Sequence, residues 1–271
     1  MELFNKVDFP KRIVCLTEET TETLYLLGEG HRVVGISGYT VRPIEARQKP
    51  KVCAYITAKF EKIYALKPDL VLAFSDLQAD IVRELVKQGL TVATFNQRSV
   101  NEILSMILSV GSLVGCQEKA TKLVTELQSE LEAISKEALS FPYRPKVFFE
   151  EWKDPLISGI RWVSELIEIA GGEDIFPELR TGQSGSERIV SSEEVIKRNP
   201  DIIIASWCGK KVDKNFIRNR VGWNQINAVC NNQIHEIKST YILQPGPASL
   251  TEGIKQLKMI ISEVAKKQAS L

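Results

Sequence analysis

Cysteines, histidines and paired acids are the residues through which this 271-residue chain could do covalent or metal chemistry. The five cysteines, Cys15, Cys53, Cys116, Cys208 and Cys230, are odd in number and widely spaced, with no CxxC pair. That pattern argues against both a disulfide framework and a thiolate metal site. His31 and His235 are isolated, with no HxxH or HExxH, which argues against a histidine-ligated metal. The GQSGS stretch misses the GxSxG nucleophile elbow by one residue. GEGHRVVG contains GxG but follows helical sequence and lacks the third glycine of a dinucleotide fingerprint. Glu150 and Glu151 are adjacent, so on a strand they point to opposite faces and cannot work as a paired acid and base. The reading is a binding protein: no enzyme, no resident cofactor and no metal.

Thirty-five Lys and Arg nearly balance 34 Asp and Glu, for a formal net charge of +1, which excludes the electrostatic footprint of a nucleic-acid binder. No run of apolar residues reaches the length of a membrane span, so no direct membrane insertion is expected. The opening MELFNKVDFPKRIVCLTEE has neither an apolar h-region nor a small-residue cleavage site. Taken as a complete chain it would stay in the cytoplasm; taken as a trimmed one it belongs to an exported protein.

The elements that must position any site alternate. Residues 12–17 (RIVCLT) read as a strand, followed by the helix-opening EETTETLYLLGEG. Strands are expected at 33–37, 70–74 and 91–95, with helices at 61–66 and 79–87. Residues 116–141 contain no Gly or Pro and keep Leu or Ile at helical spacing; at 1.5 Å per residue, such a rod is about as long as a small domain is wide. Strand grammar restarts at 146–152, followed by helices at 162–170 and 192–198, strands at 201–207 and 233–239, and a closing helix at 250–267. Alternation of this kind predicts parallel sheets with helical crossovers. The fold class is therefore α/β, with two similar lobes, each a parallel-rich sheet with flanking helices, joined by one long rigid helix. The lobes are placed at 1–115 and 142–271, with the bridge at 116–141.

An internal echo supports two like lobes. KPDLVLAF (67–74) returns as NPDIIIAS (199–206), which aligns Pro68 with Pro200, Asp69 with Asp201 and Glu61 with Glu193. ETLYLLGEG (22–30) returns as ELIEIAGGE (165–173), in the same order.

RIVCLTEETTETLYLLG, VVGISGYT, FEKIYALKPDLVLAF, EEWKDPLISGIRWVSELIEIAGGEDIF, VSSEEVIKRNPDIIIASWCGK, GWNQINAV and ILQPGPASLTEG follow one another in an order that resembles the substrate-binding proteins of ABC importers for cobalamin, haem and iron-siderophores. The cobalamin-binding branch is the nearest resemblance, and it extends over almost the whole chain. It implies capture of a corrinoid in a cleft between the lobes, delivery to the membrane subunits of an ABC importer, an extracytoplasmic location and a monomer.

In open α/β sheets, ligands bind outside the carboxyl ends of the parallel strands. Those positions hold Glu18 and Glu19, Tyr39, Phe74, Trp152, Trp207 and Cys208, and Tyr241. Aromatics suit a large flat macrocycle, because they supply area at low entropic cost. The resemblance carries Tyr39, Tyr55 and Phe74 over as ligand-facing from the first lobe. From the second lobe, whose loops depart from the cobalamin-protein pattern, the candidates are Trp152, Arg161, Trp162, Trp207, Tyr241 and Gln244. Tyr55 and Phe74 also suit a lobe core, Trp162 suits a cover for the sheet, and QPGP suits a plain turn. By the same resemblance, Glu61 and Glu193 are transporter-docking residues, each opening a short helix where a carboxylate is also favoured by the helix dipole. The alternatives are a haem or ferric-siderophore binder of the same fold, and a cytoplasmic corrinoid-handling protein or enzyme with Cys208 as its reactive group.

Overall fold

The computed structural model describes residues 8–268. They separate into two units: one holds the chain up to Gln97 together with Asn101–Glu126, the other holds Arg98–Val100 and the chain from Leu127 onward.

Unit 1 contains β1 (Ile13–Cys15), α1 (Glu18–Leu26), β2 (Val33–Ser37), β3 (Lys51–Ala54), β4 (Thr57–Ala58), α2 (Phe60–Ala65), β5 (Leu70–Phe74), α3 (Ala79–Lys87), β6 (Val92–Phe95) and most of α4 (Val100–Leu113). Among the described residues its sheet has six strands in the order β4-β3-β2-β1-β5-β6, parallel except where β4 turns back on β3. The chain builds outward from β1 on one side and then returns through β5 to the other. This leaves a topological switch point between β1 and β5, the place where such sheets bind ligands. Val14, Leu16, Val52, Ile63, Val71 and Leu85 form the core beneath it, all fully buried.

The helix α5 (Gln117–Ala138) gives its residues as far as Glu126 to unit 1 and those from Leu127 to unit 2. Unit 2 continues with β7 (Lys146–Lys153), β8 (Leu156–Ser158), α6 (Arg161–Ile169), β9 (Glu173–Asp174), α7 (Ser192–Arg198), β10 (Ile202–Ala205), α8 (Lys214–Arg218), α9 (Asn227–Cys230), β11 (Ile234–Glu236), α10 (Ser239–Ile242) and α11 (Ile254–Gln268). Its sheet runs β11-β10-β7-β8, with β9 also pairing β7; among the described residues only β8 is antiparallel. Phe148 anchors the core, edge-on to Phe176 and Trp223 at centroid separations of 5.8 and 6.2 Å. Such aromatic pairs add about 1 kcal/mol each beyond the area they bury.

The repeated phrase has a physical basis. In unit 1, the Asp69 carboxylate accepts hydrogen bonds from the backbone N–H of Lys11 and Arg12 at 2.8 and 2.9 Å, and its own N–H donates to the Arg12 carbonyl. In unit 2, the Asp201 carboxylate accepts from the N–H of Lys146 at 2.8 Å and from the Tyr143 hydroxyl at 2.8 Å, while its N–H donates to the Lys146 carbonyl. Each aspartate therefore fixes the register of the strand beside it, β1 in one unit and β7 in the other. The residue before each proline, Lys67 or Asn199, has positive φ, 45° and 47°, and turns the chain from helix into strand.

Candidate functional site

At the strand ends of unit 1, Leu16 and Thr17 lead straight into α1. Residues 18–24 of that helix are buried, although its sequence, EETTETLYL, is polar. Burial is tolerable because the hydroxyls of Thr20 and Thr21 donate to the Thr17 carbonyl and that of Thr23 to the Glu19 carbonyl. Glu22 pairs with Arg42 at 3.0 Å. Glu18 and Glu19 sit where α1 opens. The Thr17 hydroxyl donates to Glu19 Oε1 at 2.6 Å, and the Ser37 hydroxyl faces Glu18 Oε1 at 3.4 Å. Burial, followed by the charge of Glu18, pushes the Glu19 carboxyl up to about 8; burial also raises that of Glu18. Near neutral pH, Glu19 is thus a carboxylic acid with a proton to donate.

Gln78, fully buried, braces the same edge. Its Oε1 accepts from the Phe74 N–H at 3.0 Å and its Nε2 donates to the Tyr55 carbonyl at 2.7 Å. That bond holds Tyr55 in a turn with φ of 54°. Tyr39, after β2, is 58% exposed, and Tyr55 is half-buried. Phe74 is 5% exposed and belongs to the interior, which favours its reading as lobe core over a ligand contact. Cys15 and Cys53 are buried thiols, both pushed up to about 12 chiefly by desolvation, so neither is a nucleophile at neutral pH.

In unit 2 the two adjacent glutamates do face opposite sides of β7. Glu150, with no exposed surface, accepts from both ends of the Arg220 guanidinium at 2.6 and 2.9 Å and from the Trp207 indole N–H at 2.9 Å. Glu151 accepts from Arg188 instead, at 2.6 and 3.0 Å. Trp207 is only 2% exposed and packs in the core, so its position after a strand does not make it a ligand platform. Trp162 is corrected for the same reason: it is 3% exposed, and its N–H is spent on the Ile242 carbonyl at 2.9 Å.

The others remain near the surface. Trp152 is half-buried, its N–H donating to the Asp154 carbonyl at 3.0 Å. Tyr241 and Gln244 are half-buried, and Cys208 is exposed. Arg161 opens α6 and pairs with Glu165 one turn on, at 2.8 Å. Glu61 and Glu193 are both exposed, each the second residue of its helix.

The sequence reading missed Gln78, Arg220, Lys153, Lys210 and Phe216. Lys210 Nζ lies 5.0 Å from the centre of the Trp152 ring, and Lys153 Nζ lies 5.0 Å from Trp207 and 4.9 Å from Phe216. Only Lys153 left a sequence signal, as the polar residue closing KVFFEEWK. Among the described residues no group of three or more His, Cys, Asp or Glu could hold a metal ion, and no helix is long and apolar enough to cross a membrane.

Paired α/β units with hydrogen-bonding and aromatic side chains at their strand ends define a class, the small-molecule receptors built on parallel sheets. The chain belongs to the periplasmic binding protein family, whose model matches residues 13–241. Two relatives are similar over most of their length. An uncharacterized ABC transporter substrate-binding lipoprotein of Bacillus subtilis, YvrC, is 31% identical, covering 92% of this chain and 79% of its own. A vitamin B12-binding protein of Vibrio campbellii is 29% identical, covering 89% and 86%. Among solved structures, a possible iron-binding protein of Staphylococcus epidermidis matches at TM-score 0.80 and 26% identity, covering 94% of this chain and 99% of its own. The haem-binding protein RhuT of Roseiflexus matches at TM-score 0.79 and 21% identity, covering 94% and 99%, a likeness of fold alone.

The protein is accordingly, by family, a non-catalytic substrate-binding component of ABC transport. The family works outside the cytoplasm, and the cytoplasmic reading of the N-terminal sequence draws no support from it.

Proposed function

We propose that the protein captures a cobalamin-like corrinoid with side chains at the strand ends of its units and delivers it to an ABC importer. The observation that carries this reading is the 29% identity to a vitamin B12-binding protein over 89% of the chain. The strand ends agree with it. Tyr39, Tyr55 and Trp152 supply partly exposed ring surface and Gln244 a polar group suited to an amide rim, whereas Glu18 and Glu19, at 7% and 2% exposed, are enclosed like Trp207 and are set aside as ligand contacts. Neither histidine stands at a strand end: His31 precedes β2 and His235 is inside β11. An octahedral cobalt that brings its own axial ligands needs neither.

Titration of the purified protein with cyanocobalamin, dicyanocobinamide, haemin and a ferric siderophore tests the reading, followed by Trp fluorescence and equilibrium dialysis. Saturable one-to-one binding of cyanocobalamin is expected, with quenching dominated by Trp152, the tryptophan least enclosed at the strand ends. Tight binding of haemin or the siderophore, with no corrinoid bound, would replace corrinoid by that ligand.

For Glu61 and Glu193, the proposed role is contact with cationic side chains of the two membrane subunits. Glu61→Ala combined with Glu193→Ala is expected to leave ligand affinity within about twofold and to weaken stimulation of the importer's ATPase by about tenfold, as removal of rim charges does at electrostatically steered interfaces. Loss of ligand affinity in that variant would move both residues from docking to binding.

A further inference from the structure

The strand-end edge of unit 2 carries two lysines that, among the described residues, form no ion pair with its own acids. Lys153 is the last residue of β7, and Lys210 lies just beyond β10, the neighbouring strand of the sheet. Their ammonium groups rest over aromatic rings: Lys153 at 5.0 Å from Trp207 and 4.9 Å from Phe216, Lys210 at 5.0 Å from Trp152. Neither contacts the carboxylates around it. Glu150 is closed by Arg220 and Trp207, and Glu151 by Arg188. Asp213 accepts the N–H groups of Asn215 and Phe216 at 3.0 Å each, and Glu236 accepts that of Val212 at 3.2 Å. Asp154 is exposed in the turn after β7 and pairs with neither lysine. Lys211 and Lys214, both exposed, add to the same sign.

A ring beneath an ammonium steadies it without cancelling its charge or occupying all of its N–H groups. A carboxylate partner would do both. Lysines held over rings are therefore partly pre-organised cations, with N–H donors left for a further acceptor.

We infer that this edge of unit 2 is a subsite for an anionic oxygen group of the ligand, gripped by Lys153 and Lys210 while the Trp152 ring covers the apolar surface beside it. The identity of that group rests on the corrinoid reading. In a complete corrinoid it is the phosphodiester that joins the nucleotide loop to the ring, which cobinamide lacks; in a haem it would be a propionate carboxylate. Lysine suits either, as a compact charge with rotatable donors.

The test uses the double variant Lys153→Gln/Lys210→Gln and the charge-keeping Lys153→Arg/Lys210→Arg, with thermal unfolding as the check on folding. Each is titrated with cyanocobalamin, dicyanocobinamide and haemin at low and at physiological ionic strength. The glutamine pair is expected to weaken cyanocobalamin about tenfold and to flatten its salt dependence, with the arginine pair close to wild type and cobinamide within about twofold throughout. An unchanged cyanocobalamin affinity, or an equal loss for cobinamide, overturns the subsite while the corrinoid reading stands. If the wild type binds no corrinoid, that reading fails; haemin affinity that falls in the glutamine pair then keeps the subsite with a carboxylate in it. Haemin affinity that does not fall, or binding of neither ligand, overturns the subsite as well. Should the double variant not fold, the single Lys210→Gln at an exposed residue carries the same comparison.

Discussion

Arg220→Ala is expected to destabilise the protein by about 3–5 kcal/mol, because it leaves the Glu150 carboxylate charged, enclosed and without its counter-ion. Glu150 has no exposed surface, and both its oxygens meet the guanidinium, at 2.6 and 2.9 Å. The same guanidinium lies 4.4 Å from the Trp223 ring and 5.1 Å from that of Phe216, so truncation removes packing as well as charge. Adding Glu150→Gln to Arg220→Ala should restore at least half of the loss, since a neutral amide is far cheaper to bury and its oxygen can still accept the Trp207 N–H. Urea denaturation of the two variants measures this. A single variant as stable as wild type, or a double variant less stable than the single, would sink the idea that a buried ion pair organises this edge.

Stability is expected to fall as pH rises from about 5 to 9, in contrast to proteins whose paired carboxylates favour neutral pH. The Glu19 carboxyl is pushed up to about 8 from 4.5 by burial and by the neighbouring charge of Glu18. A group that holds its proton more tightly when folded contributes stability fully present below its unfolded value. That contribution is lost progressively as pH climbs through the folded value. Above about pH 9 the folded state must keep an enclosed carboxylate beside Glu18, at a cost on the order of several kcal/mol. Glu19→Gln should therefore flatten the profile and raise the unfolding temperature most at alkaline pH. Thermal unfolding at unit steps between pH 5 and 9 gives the answer; a flat wild-type profile, or a variant with the same slope, would count against it.

Several elements were legible from local chemistry. The strands at 33–37 and 70–74 and the helices at 79–87 and 192–198 begin and end where the sequence places them. Each has an unambiguous pattern: a β-branched or leucine-rich run for the strands, and apolar spacing of three and four with polar flanks for the helices. The helix α4, VNEILSMILSVGSL, was not read, although its apolar content is high, because serines and a glycine interrupt its pattern. The short α8, α9 and α10 could not be read at all. Helices of four or five residues have no stability of their own and exist only through their packing.

The candidate site was legible as a set of positions, not as directions. The sequence puts Trp207 after a strand, but only the fold shows its ring turned inward with its N–H on Glu150. Arg220, the partner that decides the state of Glu150, stands 70 residues away along the chain. Gln78 is similarly remote from Tyr55, 23 residues earlier, whose carbonyl it holds. Long-range partners of this kind leave no local trace, whereas the Asp69 and Asp201 echo did, because the same contact is made twice.

That echo bears on how the molecule tolerates change. Asp69 and Asp201 grip peptide N–H groups, which every residue but proline offers, so the side chains at 11 and 146 can be recoded without loosening either grip, whereas Arg12 also donates from its guanidinium to the Leu66 carbonyl at 2.6 and 2.9 Å and braces the same turn. Proline is the one letter positions 11 and 146 should refuse, and a library randomised there would show it as a depletion while the aspartates themselves stay invariant.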